Sequence, residues 1–285
     1  MMANFTLENP CLRARITDKG ACLLGLEALN PSKHILRPWT KDEWSPEASA
    51  MFPMLPFANR IAGNQFSVRN KRYFLPAQSF NNPYYLHGNG WLEQWEADFK
   101  NGSTITLRSN PEKMGIYEYI AEITYSLINN VFKAEMLITH TGEEPAPYGA
   151  GFHPFFMLTP DDTVQFSSTG YWTEDVNHLA DEWHETIPLD RDFSRPITPS
   201  GVWINNCYSG WNGVAKISNS QRSIVMTSAA PLLMVYQNNN ANFICLEPQT
   251  HQVNAHHLPG RPGLRMLNKN ATLLLTMEIL FNSSK

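Results

Sequence analysis

The sequence predicts an all-β protein: a large antiparallel β-sandwich with few, short helices. Three observations lead there. Apolar residues recur at every second position over many short segments, as they do in strands with one buried face. The 285 residues include 26 Asn, 16 Gly and 20 Pro, which punctuate turns and fit poorly inside helices. Between the turn clusters the apolar runs are strand-sized, and a helical stripe is hard to find. Composition stays even from end to end, with no repeat and no low-complexity linker, so a single domain over residues 1–285 is expected.

The elements follow in chain order. Residues 41–50 carry the one helical signal, and Pro46 limits it to a short turn. Residues 66–75 read as a hairpin turning at Asn70-Lys71, and 104–108 as a strand. In 119–127, Tyr119, Ile123, Tyr125 and Leu127 share one face, while Glu122, Thr124 and Ser126 share the other. Residues 131–140 alternate in the same way, and Asn129-Asn130 between the two segments reads as a tight turn, because Asn tolerates positive φ. Further strands are expected at 223–227, 232–237, 243–247 and 271–281.

Charge narrows the function. A net charge of −4 lacks the footprint of a general nucleic-acid binder, and no basic amphipathic stretch suggests a membrane surface. The opening MMANFTLENP has no apolar core of the kind a secretory signal carries. The greasiest stretch, 273–281, is short and interrupted by Thr276 and Glu278, so no membrane span is expected. Cys11, Cys22, Cys207 and Cys245 form no C-x-x-C pair and read as free buried thiols of a reducing, cytoplasmic setting. The 8 Trp, 10 Tyr and 15 Phe pack cores, but flat rings also stack on the C–H faces of sugars, and Asn and Gln serve hydroxyls as donor and acceptor.

Four segments set an ionisable side chain in an unusual place. In FPMLPFANRIAGNQF (52–66), Arg60 follows Asn59 within an apolar stretch, where a guanidinium needs an ion pair or a ligand. In YYLHGNGWLEQW (84–95), His87 sits between aromatics and a Gly-Asn-Gly turn, as a plain turn histidine or as a ligand contact. In YGAGFHPFFML (148–158), His153 is either a hydrogen-bonded core residue or an acid–base group. In FICLEPQTHQVNA (243–255), Glu247 closes a hydrophobic run, where a carboxyl must be hydrogen-bonded and its pKa is open to tuning.

Taken in order, these blocks resemble the aldose 1-epimerase (galactose mutarotase) family. The resemblance rests on Asn59-Arg60-Ile61 with Gly63 and Phe66, on Leu86-His87-Gly88 with Gly90-Trp91 and Trp95, on His153-Pro154-Phe155-Phe156, and on Glu247-Pro248-Gln249-Thr250. Residues 16–26, with Asp18, Gly20 and Ala21, resemble the family's first hairpin. What the resemblance implies is a large β-supersandwich with a groove for a free hexose of the galactose or glucose type, whose α and β anomers it interconverts by ring opening and closure. Glu247 then corresponds to the general base and His153 to the general acid, while Arg60, His87 and Asn59 bind the sugar. The resemblance implies no cofactor, no metal, no nucleic-acid or membrane partner, and a monomer or homodimer acting on a small-molecule aldose.

One position departs from the family. Where its members commonly carry a sugar-binding aspartate, this chain has Asn205, which keeps an acceptor oxygen without the charge, so altered preference or weaker binding is expected. Two other readings stay open: a hexose-6-phosphate epimerase, for which Arg69, Lys71 or Arg72 could assist, and a non-catalytic carbohydrate-binding protein on the same scaffold. His251, His256 and His257 lack a carboxylate or thiol at ligand spacing and are not expected to bind metal. Asp161-Asp162 and Asp190/Asp192 imitate a glycosidase carboxylate pair but read as solvated turn acids.

Overall fold

A computed structural model describes residues 2–40, 44–76, 83–239 and 241–283. Its architecture is two large antiparallel sheets with two small two-stranded ribbons. One sheet has eleven strands. It runs from Asn4–Glu8 through Leu12–Thr17, Leu23–Leu29, Met51–Met54, Gly151–Met157, Phe243–Gln249, Leu232–Gln237, Ile204–Ser209 and Gly170–Glu174 to Ala180–His184, with Ser32–His34 added beside Leu23–Leu29. The other has eight: Thr163–Phe166, Val214–Ser218, Arg222–Ser228, Thr272–Ser283, Val131–His140, Tyr119–Ile128, Thr104–Ser109 and Glu96–Lys100. Among the described residues, helix is confined to four single 3₁₀ turns, and no helix is long and apolar enough to cross a membrane.

The long hairpin forms as its alternation predicts. Ile128 pairs with Val131, and Asn129 takes φ 54° at the turn. Tyr119, Ala121, Ile123 and Tyr125 turn inward against Phe132, Ala134, Met136 and Ile138, all 2% exposed or less. Burying each large apolar side chain is worth about 1.5–3 kcal/mol. The inward residues meet Phe152, Phe156, Ile244, Leu246, Leu233 and Val235 of the larger sheet in one core. A hydrogen bond from Tyr125 Oη to the Ala21 carbonyl, 2.8 Å, ties the two layers.

Two expectations need correction and a third is narrowed. The hairpin of residues 66–75 pairs Val68 with Lys71, so it turns at Arg69-Asn70 rather than Asn70-Lys71. Both turn residues have positive φ, 47° and 64°, as a two-residue hairpin matched to strand twist requires. The helical turn expected over 41–50 is a single 3₁₀ turn, Pro46–Ala48, and Lys41 to Glu43 lie outside the described residues. Asp162 is no solvated turn acid: it is fully buried and bonded to Arg222 Nε (3.3 Å) and Nη2. Arg222 also donates to the carbonyls of Met157 (2.7 Å) and His34 (3.2 Å), so one buried guanidinium joins strands of both sheets.

Candidate active site

Period-2 geometry decides which side chains reach the site. Along Gly151–Met157, Phe152 and Phe156 point into the core between the sheets, so His153 and Phe155 occupy the outer face. Phe155 pairs with Cys245 and Gly151 with Gln249, which sets His153 opposite Glu247. The next strands continue the row: Tyr236 pairs with Cys245 on one side and with Asn205 on the other. His153 also pairs with Phe52. These strands are buried on both faces, so in the sequence they read as continuous apolar runs with isolated polar intruders. The intruders are the site.

A cavity of about 720 Å³ covers this outer face, within the usual range for small-molecule sites. Asn59, Arg60, His87, His153, Asn205 and Glu247 all line it. Sequence reasoning missed other wall residues, notably Arg37, His178, Trp203, Tyr236 and Phe243. Trp203 and Tyr236 meet edge to face at 5.5 Å, and Tyr236 lies 6.5 Å from Phe243, so an aromatic wall runs along the cavity. Only the aromatic surplus of the composition pointed to such a wall, without naming its members.

At the floor, His153 Nε2 stands 3.1 Å from Glu247 Oε1. The imidazole packs against Phe52 (4.4 Å) and Phe155 (4.7 Å). The two groups are 7% and 2% exposed, and lost hydration drives them in opposite senses. Burial pushes the Glu247 carboxyl well above its ordinary value, and Arg60 opposes this only in part. Burial pulls His153 down to about 3.

His87 is fixed by a reciprocal pair of bonds with Asn59. Its ring Nδ1 accepts the Asn59 amide at 3.0 Å, and its own amide donates to the Asn59 carbonyl at 2.9 Å. Nδ1 is therefore the lone-pair nitrogen, and Nε2 carries the proton as a donor. Burial, with His153 and Arg60 nearby, holds this ring neutral. Asn59 and His87 both adopt left-handed backbone, φ 59° and 60°, uncommon outside glycine. The chain approaches so closely behind them that a Cβ on Gly88 would lie 2.1 Å from the Leu55 carbonyl oxygen. Burial pushes the Arg60 guanidinium below its ordinary value, and Glu174 and Glu247 nearby act in the opposite sense.

Asn205 does not lack a carboxylate after all. Its Nδ2 donates to Glu174, which also receives Trp203 Nε1 and lies 2.8 Å from His178 Nδ1. The charge missing from position 205 thus stands one residue behind it, on a neighbouring strand. Nothing in the sequence links positions 174 and 205, since only the pairing of Gly170–Glu174 with Ile204–Ser209 joins them.

Among the described residues, one trio has metal-ligand spacing: His153, Cys245 and Glu247, whose ligand atoms lie within 4.8 Å of one another. His153 and Glu247 already lie in direct contact, and burial holds the Cys245 thiol protonated, so the trio is poorly suited to a cation. The C-terminal histidines have separate tasks. His251 accepts the Ala58 amide (2.9 Å), His256 bonds Tyr117 Oη (2.6 Å), and His257 bonds the Gln65 carbonyl (2.7 Å). All four cysteines are free; Cys22, Cys207 and Cys245 are buried as expected, whereas Cys11 is exposed.

Solved structures with this architecture define its class. A galactose mutarotase-like protein from Clostridium acetobutylicum superposes with a TM-score of 0.88 at 17% identity, covering 100% of this chain and 99% of its own. A candidate aldose 1-epimerase from Escherichia coli K12 gives 0.94 at 29% identity, with 100% of both chains covered. The uncharacterized protein YphB of Escherichia coli K12 is 32% identical over 269 residues, 90% of this chain and 91% of its own. The protein is thus of the mutarotase-like β-sandwich class. The aldose 1-epimerase family model matches residues 4–280, and the chain belongs to the aldose 1-epimerase family.

Proposed function

We infer that the protein interconverts the α and β anomers of a free hexose, with Glu247 as general base and His153 as general acid. The observation that carries this reading is the Glu247–His153 pair, 3.1 Å apart and buried at the floor of the cavity. Burial favours the pair as neutral acid and neutral imidazole. Moving that one proton across the 3.1 Å contact yields carboxylate and imidazolium, the form ring opening requires. Glu247 then removes the O1 proton, the O1–H electron pair becomes the C1=O1 bond, and the C1–O5 bond breaks. O5 takes its proton from His153. Rotation about C1–C2 and closure with the roles reversed deliver the other anomer and regenerate the pair. Arg60 and the Nε2–H of His87 supply positive partners for oxygens whose charge grows during the step.

The free-sugar reading is favoured over the 6-phosphate reading by the position of the cations. Arg69, Lys71 and Arg72 belong to the 65–74 hairpin; none lines this cavity, and Arg72 lines a separate one beside His256 and Arg261. Arg37 does line it, but packs on the Phe155 ring at 3.7 Å and donates to the carbonyls of Glu47 and Ser49. A binding protein would need no matched acid and base, which argues against the non-catalytic reading. Polarimetry on a panel of aldoses and their 6-phosphates tests the assignment. Acceleration on free sugars is expected, and a preference for the phosphates would replace it.

A further inference from the structure

The geometry points to Glu174 as a positioning residue and His178 as a further sugar-contacting residue, which together with Asn205 select the uncharged, hydroxyl-bearing edge of the substrate. This rests on the anomer-interconverting reading of the same cavity.

Glu174 does not line the cavity, but three residues that do, His178, Trp203 and Asn205, all bond its carboxyl. The Trp203 indole N–H can only donate, and two carbonyl-type oxygens would repel, so Asn205 presents its amide NH₂ to Glu174 and not its oxygen. His178 Nδ1, 2.8 Å from the same Oε2 that receives Asn205, completes the set as a third donor. The consequence lies on the cavity side. Asn205 is left with Oδ1, and His178 with the lone pair of Nε2, as hydrogen-bond acceptors. Because both residues bond one oxygen of Glu174, the two acceptors belong to one hydrogen-bonded cluster in the cavity wall. Trp203, pinned through Nε1 and 5.7 Å from the His178 ring, adds an apolar face beside them.

The backbone carries a second, independent observation. His178 adopts φ 62°, a left-handed conformation costly for a non-glycine residue unless its surroundings impose it. They do. Asp175 Oδ1 accepts the amides of Asn177 (2.7 Å) and Leu179 (2.9 Å), and the Asp175 carbonyl accepts that of His178 (3.0 Å). The turn returns His178 to Glu174, four residues earlier, and holds the ring in the cavity wall. Two acceptors backed by a carboxylate attract hydroxyl donors and repel phosphate or carboxylate substituents, so this end takes a neutral, hydroxyl-bearing part of the sugar.

The experiment measures mutarotation kinetics and sugar affinity by calorimetry for wild type, Glu174→Gln, His178→Asn, Asn205→Asp and the double variant Glu174→Gln/Asn205→Asp, with galactose, glucose and their deoxy derivatives. His178→Asn keeps a residue that tolerates left-handed backbone. Each single variant should raise KM about 10- to 100-fold, the scale of one charge-assisted hydrogen bond. The double variant, which moves the carboxylate from behind position 205 onto it, should recover at least tenfold of the Glu174→Gln loss. A sugar lacking the hydroxyl held by His178 should lose about tenfold or more with wild type and less than about twofold with His178→Asn. KM within about twofold of wild type for both Glu174→Gln and His178→Asn overturns the inference while leaving the reaction intact. If wild type accelerates no aldose, the reaction assignment falls instead, and unchanged dissociation constants in the same variants would overturn this inference separately.

Discussion

The His153 imidazole and the Glu247 carboxyl lie 3.1 Å apart with almost no water access, and burial lowers the proton affinity of His153 to about 3 while raising that of Glu247 well above its ordinary value. The pair therefore holds one proton over a wide pH interval. Below that interval, near 3, it gains a second; above it, beyond the raised Glu247 value, it loses its only one. The profile of kcat/KM should show no loss on acidification through pH 6.5, where an exposed histidine titrates, and should decline on the alkaline side. An acid limb centred near 6.5 would show that His153 is solvated and acts alone.

The same burial makes a stability prediction. The fold favours the protonated Glu247 carboxyl, so its contribution is fully present below the ordinary value near 4.5 and is lost as pH rises through the raised one. A Gln at this position cannot ionise. The melting temperature of Glu247→Gln should exceed that of wild type by a margin that widens from about pH 5 to pH 9. A margin that narrows with pH would mean that Glu247 is already ionised and well paired in the resting fold.

His87 combines a backbone demand with a chemical one. Asn tolerates φ 60° but cannot reproduce the Nε2 donor, whereas Ala satisfies neither requirement. His87→Asn should lower kcat/KM by about 10- to 100-fold with stability nearly unchanged. His87→Ala should lose activity similarly and a further ~1 kcal/mol of stability in urea unfolding. Equal stability in the two variants would remove the backbone argument.

The Arg222–Asp162 pair lies outside the cavity and tests the scaffold alone. Replacing Asp162 with Ala strands a buried guanidinium and should cost about 3–5 kcal/mol in equilibrium unfolding, with turnover per folded molecule within about twofold of wild type. A cost below ~1 kcal/mol would mean that the carbonyls of Met157 and His34 suffice for Arg222.

Much of this was legible in the sequence, for a definite reason. Alternation along 119–127 and 131–140 reports one buried face directly. Arg60, His153 and Glu247 stood out because an ionisable group inside an apolar run is costly without a purpose. His87 stood out for its aromatic and Gly-Asn-Gly setting, and Asn59 and Asn205 through the family resemblance. All six line one cavity. What stayed hidden depends on pairing between distant strands. Glu174 looks like one acid among many until strand register sets it behind Asn205, and His178 has an ordinary neighbourhood until the turn at Asp175 carries it back to Glu174. Asp162 misled for the converse reason: a doublet of acids after a proline looks solvated, and the partner that buries it is 60 residues away.

The central claim is that Glu247, paired with His153, opens the sugar ring. Its most direct test is the rate of mutarotation of α-galactose and α-glucose followed by polarimetry with wild type and Glu247→Gln. Wild type should accelerate the approach to anomeric equilibrium, and Glu247→Gln, folded and still binding sugar, should lose about 10²- to 10⁴-fold of that rate. Full activity in Glu247→Gln would contradict the account.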